Sequence, residues 1–413
     1  MDARKRLDID WSDLLSGLKA CAFAHDEVAA RRAVEEWFSP EGNAFAALSI
    51  RSGLELYLDT LALPKGSEVL MSALTIPDMW RVVEHHGLVP VPVDVDPRTL
   101  APRPSAWRAA VTPRTRLAIL AHLFGTRTSL EPLVELRRDF GVRVIEDCAQ
   151  AHTGPDFKGD PNADVSLFSY GPIKTATALA GGVLVVRDPE VLARMRASGA
   201  SWPMQSRGGF AQRIVKYGLL KSITAPLLYS GFVRACTAFG TTHDAVIQKT
   251  VRGFAGGEFF QKIRHRPSPP LLTLMARRLA QGSARRVNGR TACARRLIET
   301  AGAGVEIPGA AAPLHTYWVF TVLSNRPDEL VADLRAHGFD ATRVATMSAL
   351  PAPADRPELE PRESRALLAR LVYLPVYPEL RRGRIEEMAT IVRRHCSASR
   401  PVEETEPSRA RIA

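Results

Sequence analysis

Lys174 lies in FSYGPIKTATALAGG, residues 168–182, a segment of small and apolar residues without an acid. An amine in such a tight, poorly solvated turn has its neutral form favoured, which suits attack on a carbonyl and formation of a Schiff base. The hydroxyl of Ser169, five residues earlier, suits a phosphate. Asp147 closes the apolar run VRVIED, residues 142–147. A carboxylate presented from a strand end into a cleft needs a cationic partner. A protonated pyridine nitrogen would be one, and a ring kept protonated there is an electron sink. Ser52 and Gly53, ahead of a helix expected over 54–63, offer backbone N–H groups at a helix start, which also suit a phosphate. Taken singly, each feature has a plainer reading: Asp147 as a helix cap, Lys174 as a solvated loop residue, Ser52 as a cap.

These residues need elements to hold them. Short apolar runs at 68–71, 89–95, 117–123, 142–145, 165–169 and 182–186 read as strands, with helical patterns at 77–86 and 129–140 between them. Strands separated by helices imply βαβ units and a mainly parallel sheet covered on both faces, an α/β architecture that binds ligands at the carboxyl edge of its strands. Residues 1–45 read as a helical lead-in, with Trp11, Leu14, Leu15 and Leu18 at helical spacing. The large α/β domain is expected over 46–205, a basic helical insertion and connecting helices over 206–300, and a smaller α+β domain over 301–396. In that last domain 316–323 reads as a strand, and 327–337 and 384–395 as helices. A polar tail, 397–413, is expected to fray.

Composition narrows the classes. The 413 residues are 46% hydrophobic and 24% charged, a globular balance that excludes a largely disordered or multi-spanning membrane chain. Five scattered cysteines without a Cys-x-x-Cys pair suggest neither a disulfide scaffold nor a zinc site, and no metal is expected. With no apolar signal core at the N-terminus, a cytoplasmic location is expected. The net charge of +11 is concentrated: residues 207–300 hold 17 Lys or Arg against Asp244, Glu258 and Glu299, a net of +14. Lys221, Arg234, Lys249, Arg252, Arg264, Arg266, Arg277 and Arg278 would draw an anionic surface or simply form a solvated helix face. The apolar stretch 222–233, broken by Pro226, is too short to span a bilayer and fits core packing, an interfacial element or a dimer contact. No helix-turn-helix, zinc finger or RNP-like motif is present, so nucleic acid is not an expected partner.

In order, Ser52-Gly53, KGSEVLMSALTI, PVPVDVD, TPRTRLAILAHLFG, IEDCAQAH, FSYGPIK and the double glycine resemble the DegT/DnrJ/StrS family of sugar aminotransferases. The likeness covers residues 45–200 and weakens toward the C-terminus. It implies pyridoxal 5′-phosphate (PLP)-dependent transferase fold type I, probed by a large domain with a mainly parallel sheet flanked by helices plus a smaller α+β C-terminal domain. It also implies a homodimer, an amino-acid donor with glutamate the family expectation, and a keto-sugar acceptor, nucleotide-linked by default. Lys174 would carry the Schiff base and shuttle the proton, and Asp147 would pair with the ring nitrogen. Gln150 would lie by the ring, while Ser169, Ser52 and the amides of Gly53 and Leu54 would hold the phosphate. His122 is a further pocket residue by this likeness, and Arg264 and Arg266 would reach substrate or a partner subunit. Leu54 and Ala180 depart from the family pattern, which raises a catalytically silent, binding or regulatory relative as the alternative. The basic insertion raises another, a lipid-linked acceptor at an anionic membrane surface.

Overall fold

The alternation of apolar runs and amphipathic stretches resolves into a seven-stranded sheet in the computed structural model, which describes residues 1–23, 26–246, 258–343 and 346–397. The strands are β1 (Ala44–Ala47), β2 (Glu68–Ser72), β3 (Val89–Val93), β4 (Thr115–Ala121), β5 (Arg143–Asp147), β6 (Val165–Ser169) and β7 (Gly182–Val186). Their spatial order is β1-β7-β6-β5-β4-β2-β3. β3, β2, β4, β5 and β6 run parallel, and β7 is antiparallel to both β6 and β1. β1 was not among the expected strands. Its sequence AFAA is short and alanine-rich, so intrinsic strand preference gives no signal, and the edge position beside β7 makes it a strand.

Side-chain alternation divides the sheet between two cores. Leu184 and Val186 of β7 face the helix Ile50–Leu61 through Leu54 and Leu58. Val183 and Val185 face Leu271 and Met275 of the helix Pro269–Gln281, and Phe210 and Ile214 of the helix Arg207–Ile223. The lead-in joins this second layer through Leu14, Val34 and Phe38. It is helical only over Trp11–Ala22 and Glu27–Phe38; residues 1–9 form no helix. Arg277 and Arg278 pair with Asp13, and Arg266 with Glu27. Part of the concentrated positive charge is therefore met inside the fold by acids of the lead-in, rather than displayed as a solvated face. Lys249 and Arg252 lie outside the described residues.

The smaller unit pairs Phe320–Leu323 with Leu371–Leu374 and packs them against the helices Pro327–Ala336, Arg382–Ser397 and Ala284–Ala301. The strand expected from residue 316 begins only at Phe320. Tyr317 takes a left-handed φ of 49°, which breaks the extended run ahead of Trp318. The apolar stretch 222–233 bends at Pro226, where a new helix, Pro226–Ala238, begins. Among the described residues no helix is long and apolar enough to cross a membrane.

The double glycine is a packing device. Gly181 has φ +95°, and a Cβ on Gly182 would lie 2.7 Å from Ile50 N and 2.9 Å from Ser49 C. Those are backbone atoms that cannot swing aside. Gly182→Ala is therefore expected to cost about 2 kcal/mol of stability through overpacking, read as a lower urea midpoint at unchanged slope.

Candidate active site

The parallel strands carry the chemistry to one edge. Asp147 ends β5, in register with Ala121 at the end of β4 and with Leu167 in β6, whose last residue is Ser169. Asp147 is 9% exposed, and its Oδ1 accepts the Ala149 N–H at 2.9 Å. Among the described residues Oδ2 meets no donor. Burial raises the carboxyl above its usual range, opposed by the Ala149 hydrogen bond and by the positive charge of Lys174.

Lys174 stands in the loop between β6 and β7. Thr177 fastens that loop, donating its Oγ1 hydrogen to Gly171 O at 2.6 Å, and Lys174 N donates to Gly171 O at 3.0 Å. Ala176 and Leu179 adopt positive φ to close it. The Lys174 ammonium lies 4.2 Å from the centroid of the Trp318 ring, and Trp318 Nε1 donates to Ile173 O at 3.1 Å. Burial lowers the amine to about 8; Asp147 opposes that shift and Arg51 adds to it. The amine becomes nucleophilic as it loses its proton. Acylation of Lys174, followed by peptide mass spectrometry, should therefore rise with pH to half its limit near pH 8, well below an ordinary lysine.

The third part is a helix start. Ser49 caps the helix Ile50–Leu61, its Oγ accepting from Ser52 N at 3.1 Å. Ile50 N abuts Gly182, which pairs across the ladder with Ser169. The helix start therefore packs against the end of the β6–β7 pair that carries Ser169, with Arg51 in its first turn. Arg51 also bonds Asp78 at 2.5 Å. This corrects the sequence expectation, because the helix begins four residues before Leu54. Gly53 N donates to Ser49 O, Ser52 is 1% exposed with its Oγ on Ser49 Oγ, and Leu54 is fully buried in the core. Ser49, Ile50 and Arg51 precede them at the helix start.

Gln150 immediately follows Ala149, and its Oε1 accepts Phe124 N at 2.8 Å, tying the β4 and β5 loops together. His122 is 2% exposed. Its Nε2 bonds Glu146 at 2.9 Å and its Nδ1 accepts from Thr128 N at 3.3 Å. Both ring nitrogens are thus engaged within the protein. His122, Glu146 and Cys148 hold possible ligand atoms within 4.8 Å of one another, but Glu146 already accepts from His122, Ser166 Oγ and Asp160 N, which hold it down to about 2. Arg264 bonds Glu55 and His85, and Arg266 bonds Trp202 O and Glu27. Neither arginine joins the Lys174 cluster. The residues that sequence reading missed are Arg51 and Trp318. Only Ser49, spaced three residues before Ser52, carried a local signal for the helix start.

Comparison with known proteins matches residues 32–213 to the sequence model of the DegT/DnrJ/EryC1/StrS aminotransferase family. A curated relative, L-glutamine:2-deoxy-scyllo-inosose aminotransferase of Streptoalloteichus tenebrarius, is 32% identical over 202 residues, 47% of each chain. The chain thus matches about half the length of that relative. The aminotransferase TlmJ of Streptoalloteichus hindustanus superposes with a TM-score of 0.68 at 19% identity, covering 94% of this chain and 97% of that one. NtdA of Bacillus subtilis, solved with bound cofactor PMP, superposes with a TM-score of 0.65 at 15% identity, covering 94% and 83%. The architecture is PLP-dependent transferase fold type I.

Proposed function

Since residues 32–213 carry the sequence of the DegT/DnrJ/EryC1/StrS aminotransferase family, we propose that the protein is a PLP-dependent aminotransferase moving an amino group from an amino acid to a keto sugar. The observation that carries this reading is the juxtaposition of a lowered amine, Lys174, with a buried carboxyl, Asp147, beside a helix start. The site fits the cofactor. Asp147 Oδ2 has no protein donor among the described residues, Lys174 is held in a closed loop, and a helix start beside the Ser169 strand end suits a phosphate. Pyridoxal phosphate, when bound, supplies a ring that stabilises negative charge at the donor's α-carbon.

The protein's own groups do the rest. Asp147 would hold a proton on the ring nitrogen. Ser169, Arg51 and the start of the helix Ile50–Leu61 would hold the phosphate. Gln150 fastens the Phe124 loop. Lys174 takes the proton from the donor's α-carbon and later delivers one to the former carbonyl carbon of the acceptor. Trp318 covers the amine and keeps water from it.

Glutamate or glutamine is the donor, the latter being named for the curated relative. A nucleotide-linked acceptor is the default the resemblance implies, and Arg264 and Arg266 pair with Glu55 and Glu27, so free and nucleotide-linked keto sugars both belong in the assay. The test is mass spectrometry after incubation with PLP, either donor and that panel. An amino-sugar product is expected; no product from any pair would reject the reading. The working unit is a homodimer, checked by light scattering. The convergence of Lys174 and Asp147 weighs against a catalytically silent relative.

One observation favours a lipid-linked acceptor as a second reading. Trp11 and Leu15 are exposed on one helix, Val215 and Leu219 on the neighbouring Arg207–Ile223. The Trp11 ring lies 3.8 Å from the Cβ position of Gly218, so the two apolar strips adjoin, with Lys216 beside them. Absence of flotation with anionic liposomes would count against a membrane partner.

A further inference from the structure

The segment 1–9 brings a second lysine to the Trp318 ring that Lys174 also meets. Residues 1–9 cross from the small unit, where Asp2 bridges Phe339, to the Lys174 loop, where Asp8 Oδ2 accepts Ala176 N at 2.8 Å. Between these ties, Lys5 Nζ lies 4.0 Å from the Trp318 ring centroid and donates to Trp318 O at 3.3 Å. Lys174 Nζ lies 4.2 Å from the same centroid. One indole therefore carries both amines, and they are no farther apart than those two distances together.

A third cation adjoins them. Arg290, on the helix Ala284–Ala301, is 7% exposed and donates Nε to Thr316 O at 3.0 Å, two residues before Trp318. Its Nη2 is buried and meets no acceptor among the described residues. The nearby acid, Asp8, is already committed to Ala176 N, Arg278 and Arg286. Lys5 is close enough to feel the charge of both Arg290 and Lys174, and burial pushes its amine well below the ordinary lysine range. A buried excess of cations with an unused guanidinium donor is costly until an anion enters.

We propose that Lys5 and Arg290 form the subsite for the α-carboxylate of the amino-acid donor. The assignment rests on the aminotransferase reading and deepens it. A donor amine that displaces Lys174 places its own carboxylate one bond from the reacting carbon. Lys5 and Lys174 share one indole, which suits so short a reach, whereas a phosphate on a sugar acceptor sits several bonds farther from its reacting carbon. Lys5 and Arg290 are specificity-determining groups that anchor the donor, with no part in proton transfer.

The test uses PLP-loaded wild type, Lys5→Ala, Lys5→Arg and Arg290→Gln. Each is titrated calorimetrically with glutarate, which has carboxylates and no amine, and with inorganic pyrophosphate. KM and kcat for L-glutamate are measured on the same preparations. Lys5 lies in the irregular segment 1–9, outside the helices and sheets, so its variants keep the question open even if Arg290→Gln does not fold. Glutarate affinity should fall roughly tenfold or more in Lys5→Ala and Arg290→Gln, with partial recovery in Lys5→Arg and unchanged pyrophosphate binding. KM for glutamate should rise in the same proportion, with kcat within about threefold. Unchanged glutarate affinity, or a loss confined to pyrophosphate, overturns the subsite. If glutarate binding falls as expected but no sugar is aminated, the subsite stands and the aminotransferase reading fails. If transfer proceeds and Lys5→Ala leaves KM unmoved, the subsite fails alone.

Discussion

Lys174→Ala is expected to reduce amino transfer by at least ~10³-fold, within the range a positioned acid–base group contributes, and to remove the visible absorbance of bound cofactor. Both effects follow from a single amine. It is held near neutrality by burial against Trp318 and poised opposite Asp147. The substitution removes the nucleophile and the proton carrier together, so added primary amines should restore little. Lys174→Arg keeps the charge over the indole but cannot form the bond, and is expected to be as inactive. Near-normal activity in either variant, with product confirmed by mass, would remove the basis of the mechanism.

Asp147→Asn should retain the absorbance band, because Lys174 remains, yet lose roughly 10²–10³ in kcat, the scale for deleting one electrostatic partner of a developing charge. The same variant has a signature that a merely structural carboxylate would not give. Burial raises the folded-state pKa of Asp147, so its ionised form is disfavoured by folding. Its destabilising effect is absent below the unfolded-state pKa and appears as pH rises through the folded-state value. Without cofactor, Asp147→Asn is therefore expected to melt higher than wild type at neutral pH. With cofactor the order should reverse, since only the carboxylate is stabilised by the ring nitrogen. Differential scanning calorimetry of both forms reads this directly.

Some of this was legible in the sequence for physical reasons. The runs at β6 and β7 are bounded by turn-forming residues and match the observed strands Val165–Ser169 and Gly182–Val186. Asp147, Ser169 and Lys174 therefore arrive at one edge as their positions after apolar runs implied. The helix start slipped because Ser49 and Ser52 are equally good caps by residue type, and only the hydrogen bond from Ser52 N to Ser49 Oγ chooses between them. Trp318 and Lys5 were invisible because contacts across more than a hundred residues leave no periodic trace. The arginines of 207–300 looked like a surface field, since nothing local shows that Asp13 and Glu27 fold back to meet them.

The central claim is that Lys174, and no other lysine, carries the cofactor. Lys5 makes this a real choice, being a second, partly buried amine on the same indole. The direct measurement is borohydride reduction of the PLP-loaded protein followed by peptide mass spectrometry. The reduced pyridoxyl mass is expected on the peptide containing Lys174, at close to one per chain, and absent after Lys174→Ala. The same mass on Lys5, or spread over surface lysines, would contradict the account.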